Sequence, residues 1–140
     1  MELNEYQQRC NRQDGSIMYP SHGLGNEEST QYCILSLNGE AGEVAEKALE
    51  TGLIQTSALG LCASSGQLAN KFKKILRNDP GKTLEGERAA LAKELGGALW
   101  YIAMCSMELG YGLDEIAIMN LNLIADRQAR NTLQGDGDNR

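Results

Sequence analysis

Glu40 and Glu43 stand three apart in LNGEAGEVAE, residues 37–46, and two carboxylates at that spacing share one face of a helix. At roughly 100° per residue, Leu37, Ala41, Val44 and Ala48 form an apolar stripe with Glu40 on its edge. Glu43 sits about 60° further round. A carboxylate beside a core-facing stripe is costly unless something positive meets it, either a basic side chain or a metal ion. A divalent cation is the chemically sharp reading, and a solvated acidic margin is the bland one.

The figure recurs. LNGEAGE (37–43), LCASSGQ (61–67) and LAKELGG (91–97) share one frame: Leu, a polar residue three on, then Gly two later. Glu40 corresponds to Ser64 and Glu94, and Glu43 corresponds to Gln67 and Gly97. Internal repetition of this kind points to equivalent placement in a fold. If each frame rides on its own helix, with turns near Gly52 and at residues 78–82, an antiparallel bundle sets all three at one level.

The elements that must carry these frames are legible as helices. Residues 1–12 suit a short helix with Leu3 and Tyr6 on one side. Residues 13–29 carry turn residues throughout and read as a loop, with His22 in it as an exposed residue. A helix is predicted from about Glu28 to Glu50, capped by Asn26 or Ser29 and stopped at Thr51-Gly52. The next runs from about Thr56 to Arg77 and ends in Lys71, Lys73, Lys74 and Arg77, cations that suit a helix C-terminus. Lys73 and Lys74 are alternatively candidates to hold a substrate phosphate.

NDPGK (78–82) is a turn, and Thr83 starts a helix to about Leu109 with a stripe of Leu91, Leu95, Ala98 and Ile102. Glu94 again lies on the edge. Trp100 reads as packing or interface, with stacking on a base as the functional alternative. Gly110 and Gly112 break the chain before a last helix to about Arg130, whose inner face holds Leu113, Ile116, Ala117, Asn120, Leu121 and Ile124. An amide in that stripe requires a partner, either backbone or a bound ligand. Arg127, Arg130 or Arg140 could fork onto phosphate. The closing residues 131–140, with Gly135 and Gly137, read as a flexible tail.

Composition bounds the rest. The 140 residues suit a single domain, 1–140, and only two prolines occur, both between periodic segments, which indicates an all-α class. A net charge of −6 argues against sequence-independent nucleic-acid binding. It does not exclude a phosphorylated small molecule held through Mg²⁺, whose charge inverts the local electrostatics. The four cysteines are far apart and His22 is the single histidine, which is unlike a structural zinc site. No signal peptide leads the chain and no apolar run reaches the ~20 residues that span a bilayer. A cytoplasmic protein with inert thiols and no membrane is expected.

Taken together, LNEYQQ, YCILSLNGEAGEVAEK, FKKILRND, ELGGALWYIA, LGYGLDEIAIMNLNLIADRQAR and GDGDNR resemble the MazG-like branch of the all-α nucleoside triphosphate pyrophosphohydrolases over most of the chain. The resemblance implies an antiparallel bundle of four main helices plus a short N-terminal helix, assembled as a homodimer or homotetramer. It implies Mg²⁺- or Mn²⁺-dependent hydrolysis of a nucleoside triphosphate to the monophosphate and pyrophosphate. The family's metal site pairs E-x-x-E on one helix with E-x-x-D on another. Glu40, Glu43 and Glu94 match three of those acids and would hold the metal, with Glu43 or Glu46 taking the proton of the attacking water. Lys73, Lys74, Asn120, Arg127, Arg130 and Trp100 would contact the substrate.

The chain departs from that pattern at Gly97, where relatives carry aspartate, and at Leu123, where they often carry lysine. Two alignments compete. In one, Glu40 and Glu43 are the ligands and a helix is inserted after them. In the other, Ser64 and Gln67 occupy the family position and the metal site is largely gone. The first is preferred because EAGEVAE stands at the expected distance from the N-terminus, and on it Gly97→Asp is expected to raise Mg²⁺-dependent pyrophosphate release. The alternative is a catalytically degenerate homologue that binds nucleotides or serves as a helical interaction protein.

Overall fold

The sequence divides into apolar-striped segments separated by Gly, Pro and Asn, and a computed structural model shows those segments as helices. It describes residues 1–10, 26–77, 83–130 and 132. Five helices follow one another: α1 (Leu3–Cys10), α2 (Glu27–Thr51), α3 (Gln55–Leu76), α4 (Leu84–Leu109) and α5 (Leu113–Ala129). There is no strand among the described residues, and no helix is long and apolar enough to cross a membrane. His22, the loop around it and the tail with Arg140 lie outside the described residues.

The helix ends follow local chemistry. Asn26 caps α2 through a side chain that accepts from the Ser29 amide at 2.8 Å, and Thr83 caps α4 by accepting from the Gly86 amide at 3.1 Å. Each replaces one of the intrahelical acceptors that a first turn lacks. The carboxylate of Glu115 closes the start of α5 by accepting from the Gly112 amide at 2.7 Å. Gly52 and Gly110 end α2 and α4 in left-handed conformations, at φ 72° and 78°, where a side chain would clash with backbone. Ile54, just before α3, adopts φ 49° without glycine's freedom, a strained setting for a β-branched residue.

The described residues form two compact units, one holding α1 and α5 and the other holding α2, α3 and α4. In the first, Ala117 and Leu121 are the buried residues of α5, and the Tyr6 hydroxyl donates to Asn120 Oδ1 at 2.9 Å. In the second, α3 is central: α2 and α4 both pack along it, and no comparable packing joins α2 to α4. Both pairings are antiparallel. Asn38 meets Ser65 and Ala41 meets Cys62 across α2–α3, while Ser57 meets Glu108 and Lys71 meets Glu94 across α3–α4.

Two apolar clusters hold this three-helix unit. Ile34, Leu68, Phe72, Ile75 and Leu91 fill one end. Ala41, Leu61 and Ala98 meet at mid-height with Leu37, Cys62, Tyr101 and Ile102 around them. Burying a side chain such as Leu68 or Phe72 is worth about 1.5–3 kcal/mol, so the first cluster supplies most of the hydrophobic stabilisation. The second places the small residues Ala41 and Ala98 at its centre beside Leu61 and brings backbones close. Gly60 shows how close: a Cβ there would strike the Tyr101 ring.

Candidate functional site

The mid-height cluster is where the three repeated frames come together. Ala41 from the first, Leu61 from the second and Ala98 beside the third share one buried contact region. On the α3–α4 seam, a Cβ on Gly97 would stand 3.5 Å from Ser64 Oγ, an ordinary contact distance. The frames are therefore at one level, as their spacing from the turns predicts. Their polar residues do not converge in the same way.

Glu94 lies inside the seam, because the face of α4 that meets α3 follows Leu91, Glu94, Ala98, Tyr101 and Cys105 (steps of three and four). Its carboxylate accepts from Lys71 Nζ at 2.9 Å, with the side chains 26% and 30% exposed. Lys71 Nζ also reaches the Ala90 carbonyl at 3.5 Å. Leu95, expected on the inner stripe, is instead 48% exposed. The stripe expected on α2 is observed: Ala41 and Ala48 are buried, and Leu37 and Val44 half-buried. Glu40, Glu43 and Glu46 are exposed on that helix.

Among the described residues no three His, Cys, Asp or Glu side chains are grouped closely enough to hold a metal ion. The donor set at the seam is one carboxylate already paired with an ammonium, one buried hydroxyl at Ser64, an exposed amide at Gln67 and no side chain at Gly97. Mg²⁺ requires several hard oxygen ligands and anionic charge to offset its own. These residues do not fit it.

The expected substrate contacts are distributed differently. Lys73 and Lys74 are exposed near the end of α3. Trp100 is 56% exposed and meets Tyr101 edge-on, with ring centroids 4.8 Å apart and planes at 85°. Asn120, expected on the inner face of α5, is exposed, and its Oδ1 accepts from the Tyr6 hydroxyl. Burial pushes the Tyr6 phenol up to about 12, and the adjacent Cys10 thiol adds to the shift. Arg130 forks onto Asp126 one turn earlier, at 2.7 and 2.9 Å. Arg127 is half-buried on the same helix. Leu123 is 42% exposed.

Two further groups complete the α3–α4 seam that the repeats do not reveal. Buried Ser57 donates to Glu108 at 2.6 Å, clamping the end of the seam opposite Lys71–Glu94. Beside it, burial raises the Cys105 thiol above its ordinary range and the Glu108 charge adds to this, its own backbone partly opposing. Cys105 is thus protonated and unreactive at neutral pH. None of the four cysteines, all among the described residues, forms a disulfide.

No family model matches the chain, and no solved structure matches it. Among curated proteins, the Gene 37 protein of Mycobacterium phage L5 is 40% identical over 82 residues, which covers 59% of this chain and 72% of that protein. At that identity and coverage, the chain belongs to the family of the phage L5 Gene 37 protein.

Proposed function

We propose that this chain is a MazG-like protein that does not hydrolyse nucleoside triphosphates and serves as a helical interaction protein. The observation that carries the reading is the Lys71–Glu94 pair, in a seam whose other frame positions are Ser64, Gln67 and Gly97. In the resemblance these four positions, on two neighbouring helices, stand where E-x-x-E and E-x-x-D would stand. The packing of α3 against α4 supports the alignment that puts Ser64 and Gln67 there. With a single carboxylate among these four positions, paired with Lys71, the site lacks the charge needed to gather cations against a triphosphate.

The interaction role draws on the surface of α4. Leu95, Leu99 and Trp100 are 48%, 45% and 56% exposed on α4, and exposed large apolar side chains are candidates for association. The finer architecture implied by the resemblance belongs to this proposal: an antiparallel bundle of four main helices with a short N-terminal helix, assembled as a cytoplasmic homodimer or homotetramer.

The competing reading, a Mg²⁺- or Mn²⁺-dependent pyrophosphohydrolase, keeps one observation in its favour: the intact Glu40–Glu43 pair is solvent-accessible on α2. A pyrophosphate assay across a panel of ribo- and deoxynucleoside triphosphates, with Mg²⁺ or Mn²⁺, decides between them. No release above the blank is expected. Release abolished by Glu40→Gln would restore the enzyme and end the present reading. Calorimetric nucleotide titration then separates a nucleotide-binding form, which binds without product, from a purely structural partner, which does neither.

A further inference from the structure

We infer that Lys71 supplies, from within the chain, the positive charge that Glu94 requires, making the α3–α4 seam a metal-independent ion-paired site. This deepens the non-hydrolytic reading and rests on it for its statement about metal; the pairing itself rests on geometry. Glu94 cannot avoid the seam, because it falls between Leu91 and Ala98 on the face that α4 turns to α3. A carboxylate there, 26% exposed, is costly to leave without a cation, because part of its hydration is lost.

Lys71 is placed to answer it. It lies seven residues after Ser64, on the same face of α3, and the apolar neighbours Leu68, Phe72 and Ile75 fix that face against the rest of the unit. Its Nζ is 2.9 Å from Glu94 and also reaches the part-buried carbonyl of Ala90. The stem of a lysine packs along apolar surface while its head keeps the polar contact. A divalent ion would have to displace this ammonium and would find one carboxylate, one hydroxyl and one amide in return. The ammonium needs only what is already present.

The test is a double-mutant cycle read by thermal unfolding of the full chain. Lys71→Met keeps the stem and removes the charge, and is expected to lower Tm by about 5 °C. Glu94→Gln, made in the same way, is expected to lower it less. In the Glu94→Gln background, Lys71→Met is expected to cost half as much or less, because no unanswered carboxylate remains. Wild-type Tm is expected to be unchanged by a chelator and by added Mg²⁺ or Mn²⁺.

An equal loss in both backgrounds would overturn the inference, leaving Lys71 as packing alone. A wild-type Tm that rises with either ion, and ceases to do so in Glu94→Gln, would overturn it by making Glu94 a metal ligand. If Lys71→Met does not fold while the double variant does, that rescue supports the pairing; failure of both to fold, with Glu94→Gln folding normally, counts against it. Pyrophosphate release by the wild type would sink the functional reading without altering the coupling measured here, so the two failures are distinguishable.

Discussion

Ser64 Oγ lies 3.5 Å from the point at which a side chain on Gly97 would begin. The two residues face each other across α3 and α4 at the height where the repeated frames meet. A Cβ at position 97 is accommodated, because the neighbour is a small hydroxyl at ordinary contact distance.

Restoring acids at this height should create cation binding only when Glu94 is also released. Gly97→Asp alone leaves Lys71 on Glu94, so neither divalent-ion stabilisation nor pyrophosphate release is expected from it, in contrast to the expectation from sequence. Gln67 is exposed one turn before Lys71, and an acid four residues ahead of a lysine gives it a competing partner worth about 0.2–0.5 kcal/mol. The combined Gln67→Glu, Gly97→Asp protein is therefore expected to gain a Mn²⁺-dependent rise in Tm that the wild type lacks. A flat response across a Mn²⁺ titration would show that the seam cannot open to an ion.

Close backbone approach at Gly60 makes a different demand. A methyl group there would run into the Tyr101 ring, which is itself held against Trp100 and the mid-height cluster. Gly60→Ala should cost about 1–3 kcal/mol through overpacking, despite alanine's better helix propensity. Adding Tyr101→Leu should recover part of the loss by vacating the ring's space. Denaturant unfolding of the two variants checks this. Stabilisation by Gly60→Ala would mean that the ring swings aside freely.

The unit of α1 and α5 carries a pH dependence. The Tyr6 phenol is raised from 10.0 to about 12, first by burial and then by the Cys10 thiol. The folded state therefore keeps the phenolic proton longer than the unfolded chain does. The associated stability is complete below pH 10 and declines as pH rises toward about 12. Tyr6→Phe should flatten this alkaline decline, and a phenolate absorbance titration of the wild type should show one tyrosine ionising late. A Tyr6→Phe protein with the same alkaline loss would assign it elsewhere.

Helices were legible because their signals are local. Asn26, Gly52, Thr83 and Gly110 terminate helices through chemistry confined to a few neighbouring residues, and the expected ends agree with the observed ones within one or two residues for α2, α3, α4 and α5. The α4 face was misread by one position because apolarity drew Leu95 into the stripe, while steps of three and four through Ala98 and Tyr101 place Glu94 there. Once Glu94 is inside, a basic partner is required. Nothing nearby in sequence names it, because Lys71 is 23 residues away on another helix. Its position one turn beyond Gln67, just past the end of the repeated frame, was the available signal. Ser57 and Glu108 stood further beyond reach, 51 residues apart, with no motif to join them.

The central place of α3 has a consequence for how this protein can vary. Two flanks of one rod are read simultaneously by different neighbours, and its buried positions, Leu61 and Leu68 among them, sit in clusters shared with both. The outer flanks of α2 and α4 answer to none within the unit. Sequence drift should accumulate first on the outer flank of α2, since that of α4 carries the proposed association surface, while an exchange at a buried position of the middle rod would demand matched changes in both neighbours.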